Sequence, residues 1–169
     1  MSRTATPTAE EVIDRPAEVQ FETFIDQHRA ALNACLDGLS EQQARARLVT
    51  SKTTLLGLVK HATFVEKVWF AEAVTGRSRD ELGIEAGPDE SFDLTEHDTV
   101  ATVREAHRKA CEASRQVAAT LGLDDLVHGN RRGPVPLRWV YLHVLRELAQ
   151  HCGHADVLRE QLLHEPLGD

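Results

Sequence analysis

Four long segments of the sequence repeat apolar residues at the three- and four-residue spacing of an amphipathic α-helix. These predicted helices cover approximately residues 17–37, 53–74, 95–121 and 136–163. No segment shows a convincing strand pattern. Four amphipathic helices of about 20 residues or more, joined by connections of mixed length, predict an all-α fold, namely an antiparallel four-helix bundle.

Glycine, proline and capping residues mark the expected ends of these helices. Gly76 is expected to end the second helix, and Thr95 followed by Asp98 is a weak capping box before the third. Pro136 suits the first turn of the fourth helix. The stretch 76–94 contains glycine, proline and several acidic residues, and we predict that it is a long loop.

The 169 residues are enough for one domain with a substantial core. We expect residues 1–16 to form a flexible N-terminal tail, with a short turn at 10–13, and residues 17–169 to form a single four-helix-bundle domain. No apolar run approaches the roughly 20 residues that span a bilayer, and the polar N-terminus has no signal-peptide core. The three cysteines form no recognisable disulfide framework, so we expect a cytoplasmic location.

The net charge of −8 at pH 7 narrows the classes of partner. A nucleic-acid-binding surface needs clustered positive charge to neutralise phosphates, so we expect no nucleic-acid partner. Anionic membrane surfaces attract basic segments in the same way, so we expect no membrane partner either.

A run of ionisable residues near the C-terminus is the strongest functional signal. Its members follow one another at steps of four, four and three residues, on one face of the last predicted helix: His143, Glu147, His151 and His154. Apolar residues share or flank that face, so we expect it to point toward the core: Val140, Val144, Ala155, Leu158 and Leu162. Buried ionisable groups are costly without partners, and a divalent metal ion is the simplest partner.

A metal site at this face needs a ligand from a second helix. Glu147 and His151 lie four residues apart, so their side chains can converge on one ion. His61 is the best third candidate, because it lies on the inward stripe of the second predicted helix. Two histidines and one carboxylate leave coordination positions open, as in catalytic zinc sites, and the same set suits non-haem iron. The spacing alone does not choose between these metals.

The same residues also have simpler interpretations. They can form a partly buried polar network, or line a solvated groove, without any metal. His143 is an alternative ligand, a hydrogen-bond donor to Glu147 or a structural histidine. His154 orients a substrate, transfers a proton or is structural. Arg131 and Arg132, which precede the last helix, either remain solvated or bind an anionic part of a substrate.

Two segments of the chain resemble the DinB/YfiT-like superfamily. Residues 54–70, TLLGLVKHATFVEKVWF, are similar to its second helix, and residues 139–156, WVYLHVLRELAQHCGHAD, are similar to its last bundle helix. The resemblance covers most of the chain. Within the superfamily it points to an actinobacterial-type subgroup of unknown function, related to mycothiol-dependent S-transferases and maleylpyruvate isomerase.

The resemblance implies a set of metal ligands. In that superfamily, one histidine of the second helix and two residues four apart on the last helix hold a divalent metal. By position these are His61, Glu147 and His151. Many members have histidine at the position of Glu147, whereas the maleylpyruvate isomerase branch has glutamate there. Many members have glutamine at the position of His154.

The resemblance also implies an activity. Characterised relatives are S-transferases or isomerases that use mycothiol, bacillithiol or a similar low-molecular-weight thiol. We therefore expect a divalent metal, zinc first and nickel or iron as alternatives, that activates a thiol as its thiolate to attack a small electrophile. His154 or His143 would accept the proton. A metal-dependent hydrolase and a non-catalytic bundle that binds a metal or small ligand are the alternatives, and a homodimer is compatible with the sequence.

Overall fold

The computed structural model describes residues 7–164, and it confirms the predicted all-α bundle. In chain order the helices are α1 (Ala17–Ala34), α2 (Glu41–Ala44), α3 (Leu55–Glu66), α4 (Ala73–Thr75), α5 (Arg79–Leu82), α6 (Val100–Ala118) and α7 (Leu137–His164). A π-helical segment, Lys67–Glu72, joins α3 to α4 without interrupting the helical backbone. Single 3-10 turns cover Glu10–Val12 and Glu90–Phe92.

The core lies where the long helices meet. Helix α1 packs along α7, and α3 packs against both α6 and α7. Helices α1, α3 and α7 contribute many of the fully buried apolar side chains, among them Ile25, Leu32, Leu56, Leu58, Val140, Val144 and Leu148. Burial of each such side chain contributes about 1.5–3 kcal/mol, so these contacts fix α3 and α7 side by side.

A short hairpin corrects the expectation that the chain has no strand. Strand β1 (Leu126–Val127) pairs antiparallel with β2 (Val135–Pro136), so Pro136 lies in the hairpin and α7 begins one residue later. The backbone N–H groups of Leu137 and Arg138 donate to the carbonyl oxygens of Asp125 and Leu123. The hairpin thus satisfies two amides in the first turn of α7 that have no partner within the helix.

The third long helix begins later than predicted. The Asp98 carboxylate accepts hydrogen bonds from the Thr95 backbone N–H (2.7 Å) and from Lys60 Nζ (3.1 Å), which closes a separate turn. Thr99 is therefore the N-cap of α6, in a reciprocal capping box with Thr102. The helix ends at Ala118, before the predicted end at residue 121.

The stretch 76–94 is more structured than the predicted loop. Ser78 caps α5 through a capping box with Glu81. The 3-10 turn Glu90–Phe92 follows, and Ser91 within it is fully buried. The capping box was present in the sequence, whereas the burial of Ser91 depends on contacts with α3.

The first residues that the structure describes lie against α1. Val12 is buried, and the Gln20 side chain donates to the carbonyl oxygens of Ile13 (3.1 Å) and Arg15 (2.7 Å). Residues 1–6 and 165–169 lie outside the described residues, and the domain boundary at residue 16 stays a prediction. Within 7–164, no helix combines the length and apolar character that a bilayer crossing requires.

A buried ion pair joins α1 to α3. Arg29 Nε lies 2.7 Å from Glu66 Oε1, and Arg29 Nη2 lies 2.6 Å from Glu66 Oε2, while Glu66 is 0% exposed. Burial disfavours the charged carboxylate, but the Arg29 guanidinium outweighs it and holds the pKa of Glu66 below its ordinary value. The pair is therefore ionised and bidentate, the geometry in which a buried pair compensates its desolvation.

We expect Glu66→Gln to destabilise the protein by about 3 kcal/mol, because it removes the bidentate counterion of the buried Arg29 and leaves only the single contact with Asp26 (2.8 Å). The free energy of unfolding in urea, measured with wild type alongside, checks this. Glu105→Gln is the control, because Glu105 forms an exposed pair with Arg108, and such pairs contribute little. Equal loss of stability in the two variants would contradict a structural role for the Arg29–Glu66 pair.

Candidate metal centre

The structure brings together the three residues that the sequence predicted as metal ligands. His61 lies on α3, and Glu147 and His151 lie one turn apart on α7. One potential ligand atom from each residue lies within 4.8 Å of those of the other two. The His61 and His151 rings meet edge to face with centroids 4.7 Å apart, and His151 Nε2 lies 3.9 Å from Glu147 Oε2. This cluster could hold one metal ion.

A hydrogen-bonded chain fixes the His61 ring. The Ser91 hydroxyl donates to the carbonyl oxygen of Pro88 (2.6 Å), so its oxygen must accept the bond from His61 Nδ1, also 2.6 Å long. His61 therefore carries its proton on Nδ1, which leaves the lone pair of Nε2 for a ligand. Phe92 stacks on the same ring with centroids 4.3 Å apart. Metal-binding histidines are commonly held by such an outer hydrogen bond.

His151 carries an unpartnered buried nitrogen. Its Nδ1 atom is buried and has no hydrogen-bond partner among the described residues. A buried polar atom without a partner costs about 1–3 kcal/mol, so such atoms call for an explanation. A cation bound at the His61–Glu147–His151 cluster would provide one.

The electrostatics of the cluster favour metal-binding protonation states. Burial, assisted by the neighbouring His151, lowers the pKa of His61 to about 4. Burial also lowers the pKa of His151, although the Glu147 carboxylate opposes the shift. Both imidazoles are therefore neutral at pH 7, and a metal ion binds only the neutral form. Neutral nitrogens and a carboxylate oxygen are the donor set of many divalent-metal sites, so these residues fit a divalent ion.

His143 lies beside the cluster, outside the three-residue set. Arg146 Nη2 lies 3.1 Å from His143 Nδ1 and must donate to it, because a guanidinium has no acceptor. A neutral His143 then carries its proton on Nε2, which lies 4.0 Å from Glu147 Oε1. Its ring stacks on Trp139 with centroids 4.9 Å apart. His143 makes no hydrogen bond to Glu147 at 4.0 Å, but Arg146 bonds to both residues and so links them.

His154 occupies the outer edge of the same helix face. It is exposed, and its ring centroid lies 5.7 Å from that of His151. The structure therefore places it near the cluster but on the solvent side. Its predicted part in proton transfer stays a prediction.

A cleft of about 290 Å³ opens beside the cluster. His61, Glu147 and His143 form part of its wall, and the π-helical segment supplies Trp69 and Glu72. Because a π-helix widens the turn, such segments are frequent at functional sites. Four arginines are also part of the lining: Arg79, Arg131, Arg132 and Arg146.

The sequence had singled out Arg131 and Arg132 but not the other two arginines of the cleft. Arg79 belongs to the stretch predicted as a loop, and Arg146 to the polar side of α7. Ser91 was missed for the same reason as Arg79, since no local pattern marks a serine that will meet a distant histidine. Only the tertiary contacts of the 76–94 stretch with α3 reveal Arg79 and Ser91.

Comparison with known proteins supports the resemblance seen in the sequence. No curated protein matches the chain. The family model described as mycothiol S-transferase matches residues 20–163, a range that includes α3, α6 and nearly all of α7. The matched range contains the whole His61–Glu147–His151 cluster and the cleft beside it. The chain therefore belongs to the mycothiol S-transferase family, a DinB/YfiT-like family.

Proposed function

We propose that this protein is a metal-dependent thiol S-transferase whose metal is held by His61, Glu147 and His151. The observation that carries the proposal is the convergence of their ligand atoms within 4.8 Å, beside a cleft whose wall includes His61 and Glu147. Three protein ligands leave a coordination position open, as catalytic sites require. Zinc is the first candidate metal, with nickel or iron as alternatives. Mycothiol is the first candidate thiol because the family model describes its transfer.

A divalent cation at this cluster would supply Lewis acidity, which lowers the pKa of a thiol so that thiolate forms near neutral pH. In the transfer, the thiol loses its proton and the sulfur forms a bond to the electrophilic carbon. The leaving group departs with its electron pair. The cleft holds the electrophile beside the cluster and excludes part of the surrounding water.

The chain's own histidines divide the remaining work. Arg146 donates to both His143 Nδ1 and Glu147 Oε1, so we assign His143 the role of positioning Glu147 through this shared arginine. The Nδ1 lone pair of His143 is occupied by Arg146 and is poorly placed to accept a proton. His154 is exposed beside His151, so it can accept the thiol proton and exchange it with solvent. A cytoplasmic location and a homodimer stay predictions.

Removal of any of the three proposed ligands should abolish metal binding. We expect about one divalent ion per wild-type chain and almost none in His61→Ala, Glu147→Ala and His151→Ala, measured by elemental mass spectrometry on untagged protein. Helical content by circular dichroism should remain. His164→Ala is the control, since His164 is exposed at the end of α7 and its Nδ1 lies 2.8 Å from the Glu160 carbonyl oxygen, away from the cluster. Unchanged metal content in Glu147→Ala would refute the ligand set.

Ser91→Ala should weaken metal binding, although Ser91 is not one of the three proposed ligands. The variant removes the acceptor that fixes the His61 ring, and loss of such an outer hydrogen bond typically lowers metal affinity by about 10–100-fold. Competition against a chromophoric chelator measures that affinity. Ser78→Ala, which removes an exposed serine cap of α5, is the matched control. Equal affinities in the two variants would show that Ser91 does not position His61.

The transferase activity itself needs a direct assay. Zinc-reconstituted protein should accelerate the reaction of mycothiol with iodoacetamide, measured as loss of free thiol, and Glu147→Ala should return the rate to the uncatalysed value. Each reaction would be compared with the same mixture lacking protein. Metal-loaded wild type that gives no acceleration with mycothiol or bacillithiol would reject the transferase, and a non-catalytic metal-binding bundle or a hydrolase would remain.

A further inference from the structure

We propose that the cleft beside the metal cluster binds a carboxylate of the electrophilic substrate, and that the guanidinium of Arg132 is its anchor. The assignment of this carboxylate to an electrophilic substrate rests on the proposed transferase function. The presence of an anion site in the cleft does not, because it follows from the arginines and tryptophans alone.

Two of the four cleft arginines are already engaged by the protein. Arg79 Nε lies 3.1 Å from each carboxylate oxygen of Glu72, and its Nη1 donates to the carbonyl oxygen of Ala86. Arg146 Nη2 donates to Glu147 Oε1 (3.0 Å) and to His143. These two side chains hold the walls of the cleft, and their charges are already paired with acids.

Arg132 is held in a different way. Its guanidinium carbon lies 5.5 Å from the ring centroid of Trp69 and 5.5 Å from that of Trp139. In the part of the chain that the structure describes, no carboxylate or carbonyl oxygen accepts a hydrogen bond from its side chain. Aromatic contacts restrain a guanidinium while leaving its N–H groups unsatisfied by protein. A planar carboxylate matches that donor fork.

The charge of the cleft opposes the charge of the chain. The protein carries a net −8, yet the cleft gathers four arginines against two glutamates, Glu72 and Glu147. Arg131 lies next to Arg132 on the same wall, so a second positive charge is at hand. A cleft of one sign attracts ligands of the opposite sign, and a volume of about 290 Å³ suits a small molecule.

The carboxylate belongs to the electrophile, because mycothiol carries no ionisable group other than its thiol. A neutral thiol cosubstrate gives a cationic wall nothing to pair with. The sulfur must lie at the His61–Glu147–His151 cluster, and Arg132 lies on the wall of the cleft that the other substrate would occupy.

The chain contains a built-in probe of this site. Its two tryptophans are Trp69 and Trp139, the residues that contact Arg132. Succinate, titrated into protein stripped of metal with EDTA, should produce a saturable change in tryptophan fluorescence, whereas neutral succinamide and sodium chloride at matched ionic strength should not. Arg132→Gln should weaken succinate binding by roughly tenfold or more, because it removes a charged hydrogen-bond donor.

Arg138→Gln is the matched control for this titration. Arg138 lies at the start of α7 and immediately precedes Trp139 in the sequence. It pairs with Asp124 and does not line the cleft. Its succinate affinity should stay within about twofold of wild type, as expected for an exposed pair. No saturable signal in wild type, or equal affinities in the two variants, would overturn the proposal.

Kinetics then assign the carboxylate to one substrate. Iodoacetate and iodoacetamide alkylate a thiol in the same way, with release of iodide, and differ in a carboxylate against an amide. With mycothiol as the thiol, the ratio of kcat/KM for iodoacetate to that for iodoacetamide should fall by roughly tenfold in Arg132→Gln. The ratio should be unchanged in Arg138→Gln. An unchanged ratio in Arg132→Gln would overturn the assignment to the electrophile.

A parallel measurement with bacillithiol, a thiol that carries carboxylates, tests the other source. If Arg132→Gln raises the KM for bacillithiol and leaves the iodoacetate ratio unchanged, the carboxylate belongs to the thiol and the proposal is wrong. Failure of the transferase is distinguishable from failure of the anion site. The fluorescence titration needs neither metal nor turnover, so succinate binding lost in Arg132→Gln supports the site even if no thiol is transferred.

Discussion

The bidentate ion pair between Arg29 and Glu66 holds α1 against α3, and the geometry of the His61–Glu147–His151 cluster depends on that packing. Glu66 lies on α3, little more than one turn after His61, and Arg29 lies on α1, which also packs along α7. Helix α1 thus ties together the two helices that carry the proposed ligands. A pair with no exposed carboxylate surface is sensitive to distance and angle, so it specifies one arrangement of α1 on α3.

The His61–Glu147–His151 cluster makes an unfavourable electrostatic contribution to the free energy of folding, which the packing of the rest of the bundle must offset. Two imidazoles and a carboxylate lie close together in a partly buried position, and His151 Nδ1 has no hydrogen-bond partner among the described residues. Burial keeps the imidazoles neutral, which removes charge repulsion but also keeps their lone pairs available. The same features that would destabilise an empty polar cluster therefore favour a cation in it.

Local patterns predicted the long helices and the three residues that cluster as candidate metal ligands, because both obey short-range periodicity. Glu147 and His151 are related by one helical turn, and His61 lies on a stripe that the core requires to face inward. Ser91 and Arg79 could not be found this way, because their roles arise from contacts between a predicted loop and α3. Helix α6 begins after the predicted start at Thr95, because the Asp98 carboxylate accepts a hydrogen bond from Lys60, a residue far away in the chain.

The π-helical segment connects the fold to the specificity of the cleft. The wider π-helical turn at Lys67–Glu72 changes the directions in which the side chains of this helix point. Phe70 is buried in the core, while Trp69 and Glu72 line the cleft. Trp69 then meets Trp139 of α7, and the loop residue Arg132 rests on both rings. In the proposed transferase, a cation held by the His61–Glu147–His151 cluster would activate the thiol, whereas Arg132, resting on Trp69 and Trp139, would recognise the charge of the electrophile. Arg132 itself lies in the loop between β1 and β2, outside the helices that carry the proposed ligands, so this arginine can change without replacing any of them.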